Sequence, residues 1–250
     1  MAQTSFNFFN SDHVHERDRR IVFEPVEHKY IVDNELTCDS VTQLVSSLFE
    51  QFDADYWARR KATPTKTAEM IKKEWADKAE AARNLGTRLH ERIEQYYISS
   101  EADAEALGDV EYRYFLDFAE SHTLTPYRSE WPIFSKKYRL AGTLDFLAFD
   151  GSKFEIYDWK RSSKVCDDFG NPLLNNYGKH AFAPIDHLPD TTFHHYALQL
   201  SIYRYMLETE YDIHVEACHL GVFHPDMRRY QCVDVPYLRD EVVKILNTRL

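Results

Sequence analysis

The sequence predicts an α/β domain in which a mixed central β-sheet is flanked by α-helices. Three observations support this prediction: a long helical stripe over residues 67–99, β-rich segments between residues 126 and 160, and an apolar helix over 192–208 that precedes a hairpin. Helices and strands arranged in this way bury their apolar faces against one another in layers. A chain of 250 residues fits one such domain, which we place at residues 21–250.

The chain begins with a polar and charged segment, residues 1–20, which we predict to be a flexible N-terminal arm. The first β element is a hairpin over residues 29–38, because Asp33 and Asn34 supply Asx turn chemistry between two β-rich runs. Ser40 is placed to cap the helix that follows this hairpin.

The longest predicted helix covers residues 67–99, where apolar side chains recur at steps of three and four and share one helix face. This stripe consists of Trp75, Ala79, Ala82, Leu85, Leu89, Ile93 and Tyr96. The other predicted elements are a helix at 103–121, strands near 126–134, 137–149 and 153–160, a helix at 192–208, a hairpin of 213–223 with 230–235, and a closing helix after Pro236. Residues 163–190 show no periodicity, which predicts a long loop of the kind that is usually functional or disordered.

Composition limits where the protein can act. Hydrophobic residues make up 44% of the chain, enough for a sizeable core, but no apolar run approaches the roughly 18 residues that span a bilayer. The first residues lack the basic and apolar regions of a secretion signal, so we expect a soluble, intracellular protein, in the cytoplasm, the nucleus or an organelle. The cysteines at 38, 166, 218 and 232 form no CxxC pair, which predicts reduced thiols.

The net charge of −11 is unusual for a protein that binds nucleic acid, because phosphate binding relies on Lys and Arg. Two features reduce this objection. Carboxylates that hold a divalent metal are neutralised locally, and basic residues cluster along the chain. These clusters are Arg59-Arg60-Lys61, Lys72-Lys73, Lys136-Lys137-Arg139 and Arg228-Arg229. The overall charge therefore leaves the function open.

The most informative segment is a predicted hairpin of two β-rich runs, residues 140–149 and 154–160, joined by an Asp-Gly turn. Alternate residues of a strand share a face, so Asp158 and Lys160 point the same way. If the turn centres near Gly151, Asp145 lies directly opposite Asp158. A slip of two residues leaves these carboxylates diagonal but still on one face.

Two carboxylates this close repel each other unless a cation lies between them. Oxygen ligands favour Mg²⁺, which can activate water and polarise a phosphoryl group. Lys160 adds a positive charge beside Asp145 and Asp158, where it can orient the attacking water or stabilise the transition state. The pattern taken alone is also compatible with an ordinary Asp–Lys salt bridge in a strand pair.

Two helices carry further polar side chains that can reach this site. His90 and Glu94 are four residues apart and share a helix face at the border of the buried stripe. Gln199 and Tyr203 share a face of the apolar helix at 192–208, where a buried amide needs partners. Considered singly, each of these residues fits a packing role as well as a role in a site.

Together these segments resemble the RecB-like branch of the PD-(D/E)xK nucleases, which includes phage and mitochondrial exonucleases and CRISPR adaptation nucleases. The motifs are Gly86-Thr-x-x-His90, Gly142-Thr-x-Asp145, Asp158-x-Lys160 and Gln199-x-x-x-Tyr203, and Ser40-Val41-Thr42 is similar as well. The resemblance spans about residues 28–235 and implies a restriction-endonuclease-like fold. Leu144 stands where the family's proline usually stands, which leaves the acid in place.

The resemblance implies an enzyme, a Mg²⁺-dependent deoxyribonuclease that acts as an exonuclease on DNA ends or single strands, with Mn²⁺ as a substitute. It implies His90, Asp145, Asp158 and the Trp159 carbonyl as metal ligands. It also implies Lys160 as the catalytic lysine. Gln199 and Tyr203 would line the site, and Glu94 and Glu130 would be accessory acids. The implied partner is DNA, single-stranded or with free ends, with recombination or replication proteins as further candidates and no membrane.

Several interpretations stay open beside this one. The enzyme could be an endonuclease on RNA or structured DNA, or the chain could be a non-catalytic nucleic-acid-binding module on a nuclease scaffold. The expected phosphate contacts are Lys136, Lys137, Arg139, Arg83 and Arg88. The four cysteines lack the clustering that iron–sulfur relatives show, so no iron–sulfur cluster is expected. A zinc site of His180, His187, His194, His195 and Cys166 is a weaker alternative, because the spacing matches no signature.

Overall fold

The computed structural model describes residues 8–25, 27 and 29–250. The helices of this part are α1 (Phe8–Asp12), α2 (Val41–Ser47), α3 (Ala54–Lys61), α4 (Ala68–Ser99), α5 (Val110–Ser121), α6 (Thr192–Glu210) and α7 (Arg239–Asn247). The strands are β1 (Ile21–Glu24), β2 (Lys29–Val32), β3 (Leu36–Ser40), β4 (Pro126–Ser135), β5 (Leu140–Phe149), β6 (Phe154–Lys160), β7 (Val215–Val222) and β8 (Gln231–Val235). Short 3-10 turns cover Glu16–Arg20 and Ala104–Ala106.

These strands form one mixed sheet with the order β1-β2-β3-β5-β6-β7-β8, and β4 pairs with β5. The β3–β5 and β6–β7 pairs are parallel, whereas the other pairs are antiparallel. Because β4 follows one edge of β5 along most of its length, β3 and β6 share the other edge. β3 pairs with Leu140 and Ala141, and β6 pairs with residues 146–149. Residues 142–145 therefore lie between these two partners.

Helices cover the sheet on both faces, so the predicted α/β fold with a mixed sheet is confirmed. On one face, Leu198 of α6 belongs to the same core cluster as Ile156 of β6. On the other face, Leu89 of α4 and Phe115 of α5 belong to a second cluster that contains Trp159. Successive residues of β6 thus contribute to different cores, as the alternation of side chains along a strand requires.

The N-terminal segment differs from the prediction of a flexible arm. Residues 8–20 are fixed to β4, where Asp18 accepts hydrogen bonds of 2.8 Å from the Trp131 indole nitrogen and from Arg128. Both donors are buried, and buried polar groups require partners. The prediction is therefore wrong for residues 8–20, and residues 1–7 lie outside the described residues.

The predicted loop at 163–190 is confirmed, since the chain between β6 and α6 forms only isolated β-bridges. It is packed rather than loose, because Ile185 and Leu188 are buried in the core. The strand predicted from residue 137 begins at Leu140, because Arg139 closes the β4–β5 turn in the left-handed region with φ 50°. In the described residues, none of the helices is both long and apolar enough to cross a membrane.

Helix α4 matches its predicted range, but its apolar stripe is buried only in part. Leu89 and Ile93 are buried against the sheet, whereas Ala79 and Ala82 are exposed. All of residues 76–84 are exposed, so this stretch of α4 crosses solvent without packing against the domain. Its alanines keep the helix intact there, because Ala has the highest helix propensity.

Candidate active site

The site lies where β5 separates from β6. Phe146 is opposite Tyr157 in this strand pair, and the same register continued by one residue places Asp145 opposite Asp158. This is the direct register, one of the two that the sequence left open. The Asp145 carboxylate accepts a hydrogen bond of 2.9 Å from the Trp159 backbone nitrogen, which fixes its position at the opening between the strands.

Three ligand-type side chains converge beside this opening. One ligand atom from each of His90, Glu130 and Asp145 lies within 4.8 Å of the other two. His90 Nδ1 is 3.4 Å from Glu130 Oε1 and 3.7 Å from Asp145 Oδ2. Its Nε2 donates a hydrogen bond of 2.9 Å to the Trp159 carbonyl, which holds the ring so that Nδ1 faces the carboxylates.

Glu130 is the residue that sequence reasoning undervalued, since it appeared only as an accessory acid. The β4–β5 register pairs Ser129 with Phe146 and Trp131 with Leu144, which places Glu130 beside Asp145. Centring the β4–β5 turn between residues 137 and 138 would have given this register. Glu130 has φ 43°, a left-handed conformation that side chains other than glycine seldom adopt, and such strain is often found at functional sites.

Asp158 and Lys160 form a buried ion pair on the α6 side of the opening. Their side chains are 2% and 15% exposed, and the Lys160 ammonium contacts Asp158 Oδ2. Among the described residues, Lys160 is the partner of this buried oxygen, which has no other hydrogen bond. Gln199 Nε2 lies 3.4 Å from Oδ1, and the Tyr196 ring stands 4.7 Å from Lys160 Nζ as a cation–π partner. Tyr196 had no role in the sequence prediction.

Helix α6 closes the site by direct contact with the Gly142-Thr143 segment of β5. A Cβ atom at Gly142 would lie 2.6 Å from the hydroxyl oxygen and from Cε1 of Tyr203, so only glycine allows this approach. The Thr143 hydroxyl is 3.0 Å from the Tyr30 hydroxyl of β2. Packing against Tyr203 therefore requires glycine at position 142 of the Gly-Thr-x-Asp motif. At Gly86, in the other Gly-Thr motif, a Cβ would meet no atom within 4 Å.

The charges of the site shift one another's pKa values. Burial lowers the pKa of His90, but the Asp145 and Glu130 carboxylates outweigh it and raise this pKa to about 9. Burial raises the pKa of Asp158 above its usual range, against the opposing effect of Lys160. Burial likewise lowers the pKa of Lys160, but the Asp158 and Asp145 carboxylates raise it above its ordinary value. The site therefore holds protons on His90 and Lys160 at neutral pH.

The donor set fits a hard divalent cation. Carboxylate oxygens of Glu130 and Asp145 and an imidazole nitrogen of His90 are ligands that suit Mg²⁺ or Mn²⁺. The cluster contains His90 and Asp145 of the predicted ligand set, with Glu130 added. Asp158 lies outside this cluster and forms an ion pair with Lys160. The Trp159 carbonyl accepts a hydrogen bond from His90. The roles of Asp158 and Trp159 as metal ligands therefore stay predictions.

The structure separates the remaining predicted residues into near and distant groups. Glu94 lies one turn beyond His90 and accepts a hydrogen bond of 3.1 Å from Ser129, next to Glu130. Arg83 precedes His90 by seven positions and shares its helix face, whereas Arg88, two positions away, does not.

The basic residues of the β4–β5 turn are farther from the site. Arg139 precedes Asp145 by six positions, about 20 Å along an extended strand. Lys136 is paired with Asp33 at 2.8 Å, and Lys137 donates to the Tyr138 hydroxyl. Their role as phosphate contacts stays a prediction.

The histidines of the alternative zinc site point to separate partners. His187 pairs with Glu241 at 3.0 Å, His195 with Asp190 at 2.8 Å, and His194 lies 2.8 Å from the Thr191 hydroxyl. Within the described residues, no metal-type cluster forms around them. The cysteines are also apart: Cys38 belongs to the core beside β2, Cys166 and Cys218 to the core under α6, and Cys232 packs against the core under α4.

Comparisons with known proteins add no assignment to this geometry. No protein-family model matches the chain, and no curated protein matches it. Among solved structures, one similar chain is the crystal structure of SSO0001, with 17% identity, a TM-score of 0.32, and coverage of 84% of this chain and 74% of that chain. A likeness at this level carries no argument about function.

Proposed function

We propose that this protein is a metal-dependent nuclease that hydrolyses DNA phosphodiester bonds, acting on ends or single strands. The observation that carries the proposal is the meeting of His90, Glu130 and Asp145 within 4.8 Å, beside the buried Asp158–Lys160 pair. A purely structural role gives little reason to bury the charges of Asp158 and Lys160 beside two further acids, because each buried charge costs free energy.

Each residue of the site has a distinct part in this proposal. His90, Glu130 and Asp145 would hold a Mg²⁺ ion, which supplies a polarised phosphoryl oxygen and an activated water when bound. Asp158 adds a third carboxylate to the site and keeps Lys160 protonated through their ion pair. Lys160 orients the attacking water or offsets charge on the phosphate, and Gln199 holds Asp158 in place. Trp159 fixes the His90 ring through its carbonyl.

The direct test uses end-labelled single- and double-stranded DNA and RNA, each with Mg²⁺ or EDTA. We expect cleavage of DNA with Mg²⁺ and none with EDTA or in Asp145→Asn. The matched control is Asp226→Asn, which makes the same change at a side chain that is 78% exposed on the β7–β8 turn. Equal activity in EDTA, or in Asp145→Asn, would contradict the proposal.

Circular single-stranded DNA separates the two modes of cleavage. An exonuclease needs an end and leaves the circle intact, while it degrades the same DNA after linearisation. Rapid degradation of the circle would identify an endonuclease built on the same site. Binding of DNA without cleavage of any substrate would identify a non-catalytic module.

A further inference from the structure

The chain between α2 and the part of α4 that carries His90 contains a helical hairpin, which we define as residues 52–75 and call the α3–α4 hairpin. α3 packs against the first turns of α4, where Ala58 and Ile71 are buried. The exposed stretch 76–84 separates this contact from the part of α4 that carries His90. The hairpin therefore stands apart from the rest of the domain and is free to present its surface to a ligand.

This hairpin exposes three aromatic rings close together in sequence. Phe52, Tyr56 and Trp57 are 67%, 49% and 39% exposed. Tyr56 and Trp57 meet edge to face with ring centroids 5.2 Å apart, and Phe52 packs edge-on against Trp75. Exposed rings that brace one another keep their faces oriented, which reduces the entropy lost when a planar ligand stacks on them.

Cations stand between these rings. Arg60 donates a hydrogen bond of 2.8 Å to the Tyr56 hydroxyl and lies over the Trp57 ring at 5.9 Å, and Lys61 lies over Trp75 at 5.8 Å. Arg59 and Arg60 also line an open cleft of about 550 Å³ beside Tyr56.

Most of these cations lack an anionic partner. Within the part of the chain that the structure describes, no ion pair is found for Arg59, Arg60, Lys61 or Lys73. By contrast, Lys66 and Lys72 are paired with Glu74 and Asp55. Asp53, the acid of the cleft, is engaged as the N-cap of α3 through the Tyr56 backbone nitrogen. A chain with a net charge of −11 thus keeps a group of unpaired cations on its most exposed helices.

We propose that the α3–α4 hairpin is a platform for single-stranded DNA, which delivers the strand to the site at His90; this deepens the proposed nuclease function and rests on it. Bases stack on exposed rings without regard to sequence, while cations follow the phosphates. A protein partner is disfavoured by Lys61 and Lys73, since lysine is depleted in the cores of protein interfaces. A duplex is disfavoured because its bases are not free to stack on Tyr56 and Trp57.

The first experiment measures binding of a fluorescent 20-mer of thymidylate in EDTA by anisotropy, so that no cleavage takes place. We expect Trp57→Ala and Tyr56→Ala each to weaken binding about five-fold or more, the effect of losing one stacked base. Trp57→Phe should keep most of the affinity because it keeps a ring. The matched control is Tyr177→Ala, which removes a ring that is 87% exposed on the loop before α6 and should leave binding unchanged.

A second experiment uses substrate length. Lys73 precedes His90 by 17 positions, which corresponds to about 25 Å along the α4 axis. A single strand with a stacked rise of 3.4 Å spans this distance with roughly seven nucleotides. Trp57→Ala should therefore raise KM for the 20-mer and leave KM and kcat unchanged for a tetramer that only fills the site.

The outcomes separate the platform from the nuclease. Cleavage of DNA with unchanged 20-mer affinity in the ring variants overturns the platform alone. Ring-dependent binding without cleavage in Mg²⁺ overturns the nuclease and leaves the platform. Loss of a dimer in Trp57→Ala during sedimentation would assign the hairpin to a second copy of the chain and overturn the proposal. Far-ultraviolet circular dichroism must show wild-type helix content in each variant for these results to count.

Discussion

The candidate active site and the α3–α4 hairpin hold their charged groups in opposite environments. At the site, Asp158 and Lys160 are almost fully buried and each depends on the other. On the hairpin, Arg59 and Lys73 are exposed, and water screens their charge. A buried ion interacts strongly with its partner because the local dielectric is low, whereas an exposed ion gains little from any single contact.

The two regions should therefore respond differently to substitution. At the candidate site a few buried atoms interact strongly, so single substitutions should have large effects on stability and activity. The hairpin spreads small contributions over many groups, so its substitutions should act in small increments that salt reduces.

Removing one charge of the buried Asp158–Lys160 pair tests the candidate site. Asp158→Asn should reduce DNA cleavage on the order of 10³-fold, the scale of lost charge stabilisation at a reacting phosphate. It should also destabilise the fold by about 3–5 kcal/mol, because Lys160 stays buried without its partner. The measurements are cleavage rate and urea unfolding at pH 7.

The double variant Asp158→Asn/Lys160→Met serves as the control for folding. It removes both buried charges and should regain most of the stability without regaining activity. Wild-type cleavage by a folded Asp158→Asn protein would rule out the assigned role of this acid.

Lys160→Ala and His90→Ala should impair different steps. Lys160→Ala should lower kcat about 10²-fold at saturating metal, because the ammonium acts on the water or the transition state. His90→Ala should chiefly weaken metal affinity, by roughly 10–100-fold, so excess Mn²⁺ should restore part of the activity. A Mn²⁺ titration of both variants decides this, and equal losses that Mn²⁺ cannot restore would contradict these roles.

The two motif glycines form a matched pair for the packing at the site. Gly142→Ala should cost about 1–3 kcal/mol of unfolding free energy, because its Cβ would meet Tyr203 at 2.6 Å. Gly86→Ala should instead stabilise the protein by up to about 1 kcal/mol, since it replaces an uncrowded helical glycine. Thermal and urea unfolding provide the comparison, and a neutral Gly142→Ala would show that Tyr203 does not close the site.

Metal affinity should depend on pH through His90. Its pKa is raised to about 9 in the metal-free protein, so the imidazole carries a proton below pH 9 that a cation must displace. Apparent Mn²⁺ affinity should therefore rise up to about tenfold per pH unit between pH 7 and 9 and level off above it. Isothermal titration in several buffers would detect the released proton, and His90→Ala should flatten the dependence.

The smallest effects should come from the exposed cations. Arg59→Gln/Arg60→Gln should flatten the slope of log affinity against log salt for single-stranded DNA by roughly one unit, at about 0.7 for each lost phosphate contact. Lys136→Gln/Lys137→Gln should flatten it less, because Lys136 is already paired with Asp33. A larger change from the β4–β5 turn than from the hairpin would move the DNA path away from α3.

Sequence patterns alone were enough to predict the β5–β6 hairpin and the face that carries its two acids. Alternation along β5 and β6 and the Asp-Gly turn were sufficient to place Asp145 and Asp158 on one face, directly opposite or two residues apart, because pairing in a short hairpin is a local property. The structure has the direct register. Helical periodicity likewise gave the range of α4 and the shared face of His90 and Glu94. Such features depend on neighbours within a few residues, which the sequence displays directly.

The contacts between groups that are distant in sequence come from the tertiary structure. Glu130 joins His90 because β4 and α4 flank the same opening, and Trp159 fixes His90 through a backbone carbonyl that no side-chain pattern reveals. Residues 8–20 pack against β4 because the buried Trp131 and Arg128 need Asp18 as a partner. Residues 76–84 are exposed although their apolar periodicity predicted a buried stripe. Periodicity predicts a helix with an apolar face, but that face is buried only where another element covers it.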